Sequence, residues 1–288
     1  MKHTFKFFGG LAATMLSVCL LLSSCKKEAS GGVQENVVET QIATEDDAQA
    51  DRTFDGVFDN VVGVDEEVGV GTGVGIFDSA SRISGCFTVT RVPNTPGVFP
   101  KTITIDFGAG CTDRFGVTRK GKIITVYSGR MIAPGSEAVT TFNGYYVDSV
   151  HVEGTHKLKN NSTGTSRVFT KTIINGKLSK PGGNYINWDA THTMSQTAGL
   201  ITPLNPMDDE FDITGFAAGQ SQRQIRNVTW SRLIVNPLHK KFTCRWFGSG
   251  TVRITRNNFA GILNYGNGSC DNSATLTSNG NTYNITLH

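Results

Sequence analysis

The stretch Lys101-Thr102-Ile103-Thr104-Ile105-Asp106-Phe107 decides how the chain is read. In an extended conformation Ile103, Ile105 and Phe107 share one face and Thr102, Thr104 and Asp106 the other, the period of two expected of a half-buried strand. Working outward, residues 122–127, 138–147, 167–174, 225–235, 251–255 and 282–287 have the same character, so strand follows strand from about residue 82 to the end. Asn143-Gly144, Asn175-Gly176 and Asn279-Gly280 lie between or within these runs, and Asn-Gly supplies the positive φ angles of a tight hairpin turn. The connections are too short for crossover helices, which predicts a mainly antiparallel sheet. One long loop is expected at residues 198–216, which hold Pro203, Pro206 and Asp208-Asp209-Glu210.

Composition agrees with this reading. Among 288 residues there are 34 Thr and 33 Gly but only 8 Pro, with 38% apolar and 18% charged residues, values that fit a folded globular chain and exclude a disordered or collagen-like one. The expected fold class is therefore all-β, a mainly antiparallel sheet forming a sandwich or a partly open barrel, with one short N-terminal amphipathic helix. That helix comes from Ala50, Phe54, Val57, Phe58, Val61 and Val62, which recur at three- and four-residue spacing while Asp51, Asp55, Asp59 and Asn60 take the opposite face. About four turns are expected, too short to be stable alone, so the Phe and Val stripe should dock on the β body. Residues 25–44 lack a periodic pattern and read as a flexible tether, 45–80 as the acidic helix and a Gly-rich linker, and 81–288 as a single β domain. The run Gly69-Val70-Gly71-Thr72-Gly73-Val74-Gly75 has no Lys-Ser/Thr after it and is not a phosphate loop.

Cys86, Cys111, Cys244 and Cys270 form an even set, as a disulfide framework requires. Ile105-Asp106-Phe107-Gly108-Ala109-Gly110-Cys111 resembles Leu263-Asn264-Tyr265-Gly266-Asn267-Gly268-Ser269-Cys270, and a Gly follows each second Cys by ten residues. Two like units, 86–126 and 244–287, each opening and closing around a Cys pair, argue for bonds within units. Were the likeness coincidental, bonds between units would be equally open. No C-x-x-C occurs, and no metal or cofactor site is expected.

Charge is unevenly spread. Residues 26–67 carry Lys26, Lys27 and Arg52 against twelve acidic residues, a net of −9, while residues 68–288 have a net of +10. A solvated acidic tether and helix, with positive charges dispersed over polar sheet faces, is the plain reading. A basic face for an anionic envelope glycan or lipid is the sharper one. No nucleic-acid recognition motif appears.

The N-terminus is an address. Lys2, His3 and Lys6 precede an apolar run over residues 7–22, short of the roughly 20 residues that span a bilayer, and Leu22-Ser23-Ser24-Cys25 follows at once. This sequence resembles the lipobox of bacterial lipoproteins, and Cys25-Lys26-Lys27-Glu28 is similar to Bacteroidota-type lipoproteins with uncharacterised β-rich domains. The resemblance implies a signal peptide over 1–24, acylation of Cys25, membrane contact through the acyl chains, and an outer-membrane location on the periplasmic or outer face. It implies no activity.

Candidate chemistry is sparse. His151 and Glu153 would share a strand face, and His156 would point the other way unless Gly154 forms a bulge. Ser149 lies near Asp148 and His151, but no nucleophile elbow is present. Asp208, Asp209, Glu210 and Asp212 offer carboxylate oxygens without EF-hand spacing. Trp188, Trp230 and Trp246 suit either a core or a sugar platform. Asp78-Ser79-Ala80 and Asp148-Ser149-Val150 resemble short O-glycosylation sites of Bacteroidota. No residue is assigned a catalytic role. The expected function is a non-enzymatic binding or envelope-structural domain; a carrier of a lipid or other lipophilic ligand is the alternative, and a glycan-acting hydrolase the third. A carrier predicts an open apolar concavity, a binding or structural body a filled core, and an enzyme clustered carboxylates in a cleft.

Overall fold

A computed structural model describes residues 28–64, 67–68, 86–113 and 115–287. The signal segment, Cys25, the Gly-rich run and Asp78-Ser79-Ala80 lie outside them. One helix, α1 (Glu28–Gly63), precedes fourteen strands: β1 (Thr88–Val92), β2 (Lys101–Asp106), β3 (Cys111–Thr112), β4 (Thr118–Tyr127), β5 (Glu137–Val147), β6 (Val150–Asn160), β7 (Val168–Ser179), β8 (Tyr185–Ala198), β9 (Glu210–Arg223), β10 (Arg226–Lys241), β11 (Phe247–Arg256), β12 (Phe259–Asn267), β13 (Ser273–Ser278) and β14 (Asn281–Thr286). They form one antiparallel sheet in chain order, with two-residue β3 off the main path beside β4. The result is a single open sheet rather than a two-sheet sandwich.

Alternation does what the opening stretch implies. In β2, Lys101, Ile103 and Ile105 are buried and their neighbours half-buried; β8 and β10 repeat the pattern over most of their length. The buried faces converge on α1, which touches every strand from β6 to β13. Tyr127 of β4 donates its hydroxyl to the Val61 carbonyl at 2.8 Å, and Phe142 of β5 packs against Phe54. The sheet therefore curls lengthwise around the helix as a trough.

Curvature comes from a line of bulges. Asn143-Gly144 and Asn175-Gly176 sit inside β5 and β7, where the registers of adjoining pairs shift, and only Asn279-Gly280 makes a hairpin turn. Each mid-strand pair inserts a residue that bends the strand and sharpens its twist. Gly121 shows how close the backbones come: at φ +77°, a Cβ on it would stand 1.9 Å from the Gly144 carbonyl oxygen. The expected long loop shrinks likewise. β8 runs to Ala198 and β9 starts at Glu210, so Phe211 and Ile213 are core strand residues and the loop is residues 199–209.

The helix is about ten turns long, 36 residues, and the stretch from Glu28 onward read as tether belongs to it. Its partners there are polar, so no apolar stripe announces it: Arg256 pairs with Glu39 and donates to the Asn36 side chain, and Arg226 lies 3.9 Å from Glu35 and from Glu39.

Cys86–Cys111 and Cys244–Cys270 are the two disulfides, as the paired units suggested. The units also share a local device, since Asp106 accepts from the Gly108 amide and Asn264 from the Gly266 amide, both at 2.9 Å. These Asx turns end β2 and shape the end of β12.

Candidate functional site

Nearly all of α1 beyond residue 40 is enclosed, polar residues included. Phe54, Val57 and Phe58 are fully buried, but Asp46, Asp47, Asp51, Asp55, Asp59 and Asn60 are also buried, at 7% exposure or less. The expectation that these carboxylates face water is overturned, because the sheet supplies cations along the same line. Asp47, Asp51, Asp55 and Asp59 recur every four residues and so form one row. Arg232 lies 3.3 Å from Asp47 and 2.5 Å from Asp51. Lys171 reaches Asp51 at 3.6 Å and Asp55 at 3.0 Å, and Lys240 reaches Asp55 at 2.7 Å and Asp59 at 3.2 Å. Beside the row, Asp46 pairs with Lys180 and Arg223.

Two tryptophans finish the row at its upper end. Trp188 of β8 and Trp230 of β10 both donate their indole N–H to Asp47 Oδ1, at 2.9 and 3.0 Å. They flank Gly219 on β9, where a Cβ would meet the Trp230 ring at 2.2 Å.

Burial and partners set the protonation of these groups. Burial pushes the Asp47 carboxyl up, only partly opposed by Arg232. Burial would raise Asp51 too, but Arg232, His192 and Lys171 hold it below its ordinary value. Desolvation, with repulsion from Asp55, leaves Asp59 at about 6 despite Lys240. The ring nitrogens of His156 and His192 make no hydrogen bonds. Burial drives both histidines down to about 3, abetted for His156 by Lys171. Such an arrangement holds charge in place, with the carboxylates engaged by cations rather than free to move protons.

The other sequence candidates disperse. β6 keeps its parity through Gly154, because the extra residues lie on β5 and β7, so His156 points into the core. His151 stacks on Tyr146 outside and stands 3.6 Å from Glu153. Of the acidic group, Glu210 and Asp212 bracket His239 at 3.0 and 2.9 Å, while Asp209 turns inward to accept from Gln196 at 2.5 Å. Burial raises that carboxyl to about 7. Among the described residues no group of three or more His, Cys, Asp or Glu is arranged to hold a metal ion.

One of the open spaces among the described residues is a cleft at the seam of the curl. In a flat meander the β5–β6 turn and the β10–β11 loop lie at opposite edges; coiling brings them together over the uncovered side of α1. The cleft, about 410 Å³, is lined by Gln49, Arg52 and Thr53 of the helix, Val147–Val150 on one bank, and Arg245, Trp246, Asn272 and Leu287 on the other. Arg52 and Arg245 place their guanidinium carbons 5.0 and 4.8 Å from the Trp246 ring centre. Arg245 also donates to the Phe115 carbonyl at 3.5 Å across the seam. Ser149 lines the cleft away from any His–Asp pairing. Trp246 was legible as a candidate, whereas the two arginines that join it are 193 positions apart in sequence and carried no motif.

Compared with known protein families, curated proteins and solved structures, the chain matches none significantly.

Proposed function

We propose that the chain is an outer-membrane lipoprotein, anchored through acyl chains on Cys25, whose β domain is non-enzymatic and serves binding or envelope structure. The observation that carries this reading is the filled trough: α1 occupies the concave side that a lipophilic cargo would need, and its carboxylates are engaged by Arg232, Lys171 and Lys240. That favours a binding or structural body over a lipid carrier. The two disulfides agree with an oxidising compartment, and the sequence Leu22-Ser23-Ser24-Cys25 supports the anchor. The partner class is an anionic envelope glycan or lipid.

Two measurements test this. Metabolic labelling with palmitate should mark the wild-type chain and not Cys25→Ala, which should leave the membrane fraction; equal labelling of both removes the anchor. Native mass spectrometry before and after organic extraction should give an unliganded mass, and a discrete co-purifying lipid seated in the trough would return the carrier reading to the front.

A further inference from the structure

We propose that the seam cleft is a binding site for a phosphate group, held between Arg52 and Arg245 beside Trp246. The inference builds on the binding role above and names its site and ligand chemistry.

The contrast with the rest of the helix interface is the starting point. Arg232, Lys171, Lys240, Lys180 and Arg223 each meet an aspartate of α1. Arg52 sits on the same helix and lies outside ion-pair distance of any carboxylate among the described residues. Its Nε, like that of Arg245, is buried without a hydrogen-bond partner. Of the nearby carboxylates, Asp113 pairs with Arg119 and accepts from the Phe115 and Val117 amides, while Asp148 lines the cleft, accepts from the Thr118 amide at 2.9 Å and attracts both arginines without reaching ion-pair distance. Burial and the neighbouring Arg245 push the Arg52 guanidinium down to about 9, the direction an arriving anion would reverse.

Geometry then selects the ligand. Two guanidinium forks on different elements face one space, and guanidinium matches phosphate oxygens with paired N–H donors. A carboxylate has two oxygens to offer, whereas a terminal phosphate group, inorganic or monoester, has three or more to span both forks. The Trp246 ring stands within 5.0 Å of both guanidinium groups and accepts no conventional hydrogen bond from their N–H groups. Ser149, Asn272 and Gln49 add neutral polar side chains at the rim. The volume lies within the usual range of small-ligand pockets, about 300–1,000 Å³, so the phosphate can arrive on a larger body, either a lipid headgroup or a soluble phosphate compound.

The test uses the full chain carrying Cys25→Ala, so that no acyl chain confounds membrane binding. Calorimetric titration with inorganic phosphate should show saturable binding, weakened at least about tenfold in Arg245→Gln and in Arg52→Gln, and unchanged in Arg253→Gln on the exposed face of β11. Arg245 lies in a half-buried loop, so its variant keeps the test open if Arg52→Gln does not fold. Sedimentation with phosphatidic acid-containing vesicles, reversed by inorganic phosphate, assigns the lipid source; phosphate binding without vesicle binding assigns the soluble one. Acetate binding as tightly as phosphate, equal phosphate binding by wild type and both arginine variants, or no saturable binding by the folded chain overturns the site. These failures leave the anchored, non-enzymatic reading standing.

Discussion

At the scale of single residues, Arg232 is the clearest point of leverage. It faces Asp47 and Asp51 with no exposed surface on any of the three side chains beyond 1%. Breaking a buried pair from one side leaves an uncompensated charge, so Arg232→Met should cost about 3–5 kcal/mol, read as a lower urea midpoint. A variant within 1 kcal/mol of wild type, on the order of a surface change, would show the row is not what fastens the helix. Gly219→Ala should be destabilising for another reason, since the added methyl collides with the Trp230 ring. His156 and His192 predict the acid response. An unfolded histidine gains its proton near pH 6.5, while the folded ones stay neutral down to about 3. Between those values each histidine holds a proton only in the unfolded chain, so its contribution to stability falls as pH falls, by up to about 1.4 kcal/mol per pH unit, while the raised carboxyls of Asp59 and Asp209 act in the opposite direction. His156→Leu should flatten that slope between pH 6 and 4 in pH-dependent denaturation, and an unchanged slope would rule His156 out as its source.

At the scale of elements, the strands were legible and the helix only half so. The alternation of Ile103, Ile105 and Phe107 needs nothing beyond a strand with one buried face, and the repeated Asx turns at Asp106 and Asn264 foreshadow the two disulfides. The Asn-Gly pairs were ambiguous because positive φ serves a bulge as well as a turn, and only the cross-strand registers decide. The first half of α1 was hidden because its interactions are ionic: Glu39 depends on Arg256, which is 217 residues away. The aspartate row misleads for the same reason: opposite an apolar stripe, Asp51, Asp55 and Asp59 read as solvent-facing, and their cationic partners lie far off in sequence. The seam cleft left no local trace, since its banks meet only through coiling. The Cys244–Cys270 bond braces one bank of that cleft. Replacing both cysteines with alanine should cost about 2–4 kcal/mol in thermal or urea unfolding and weaken phosphate binding with it.

At the scale of the whole molecule, the −9 stretch of residues 26–67 and the +10 remainder of residues 68–288 are complements that meet inside the fold. Their union makes α1 a core element rather than an appendage. Hydrogen exchange should therefore find amides between residues 43 and 62 as slow as those of β8 to β10; rapid exchange there would mean the trough opens independently of the sheet. Ordinary salt should leave this protection almost unchanged, because pairs enclosed by protein are poorly screened. The enclosure also bears on the order of events during synthesis. The helix is made before any strand, yet Asp55 waits 116 residues for Lys171, Asp47 waits 183 for Trp230, and Asn36 waits 220 for Arg256. For most of translation, the nascent chain carries a run of acidic residues with nothing to neutralise them and little intrinsic reason to be helical. A helix that leaves the ribosome before any strand is thus among the last elements to reach its final state, and the fold can close only after nearly the whole chain is present.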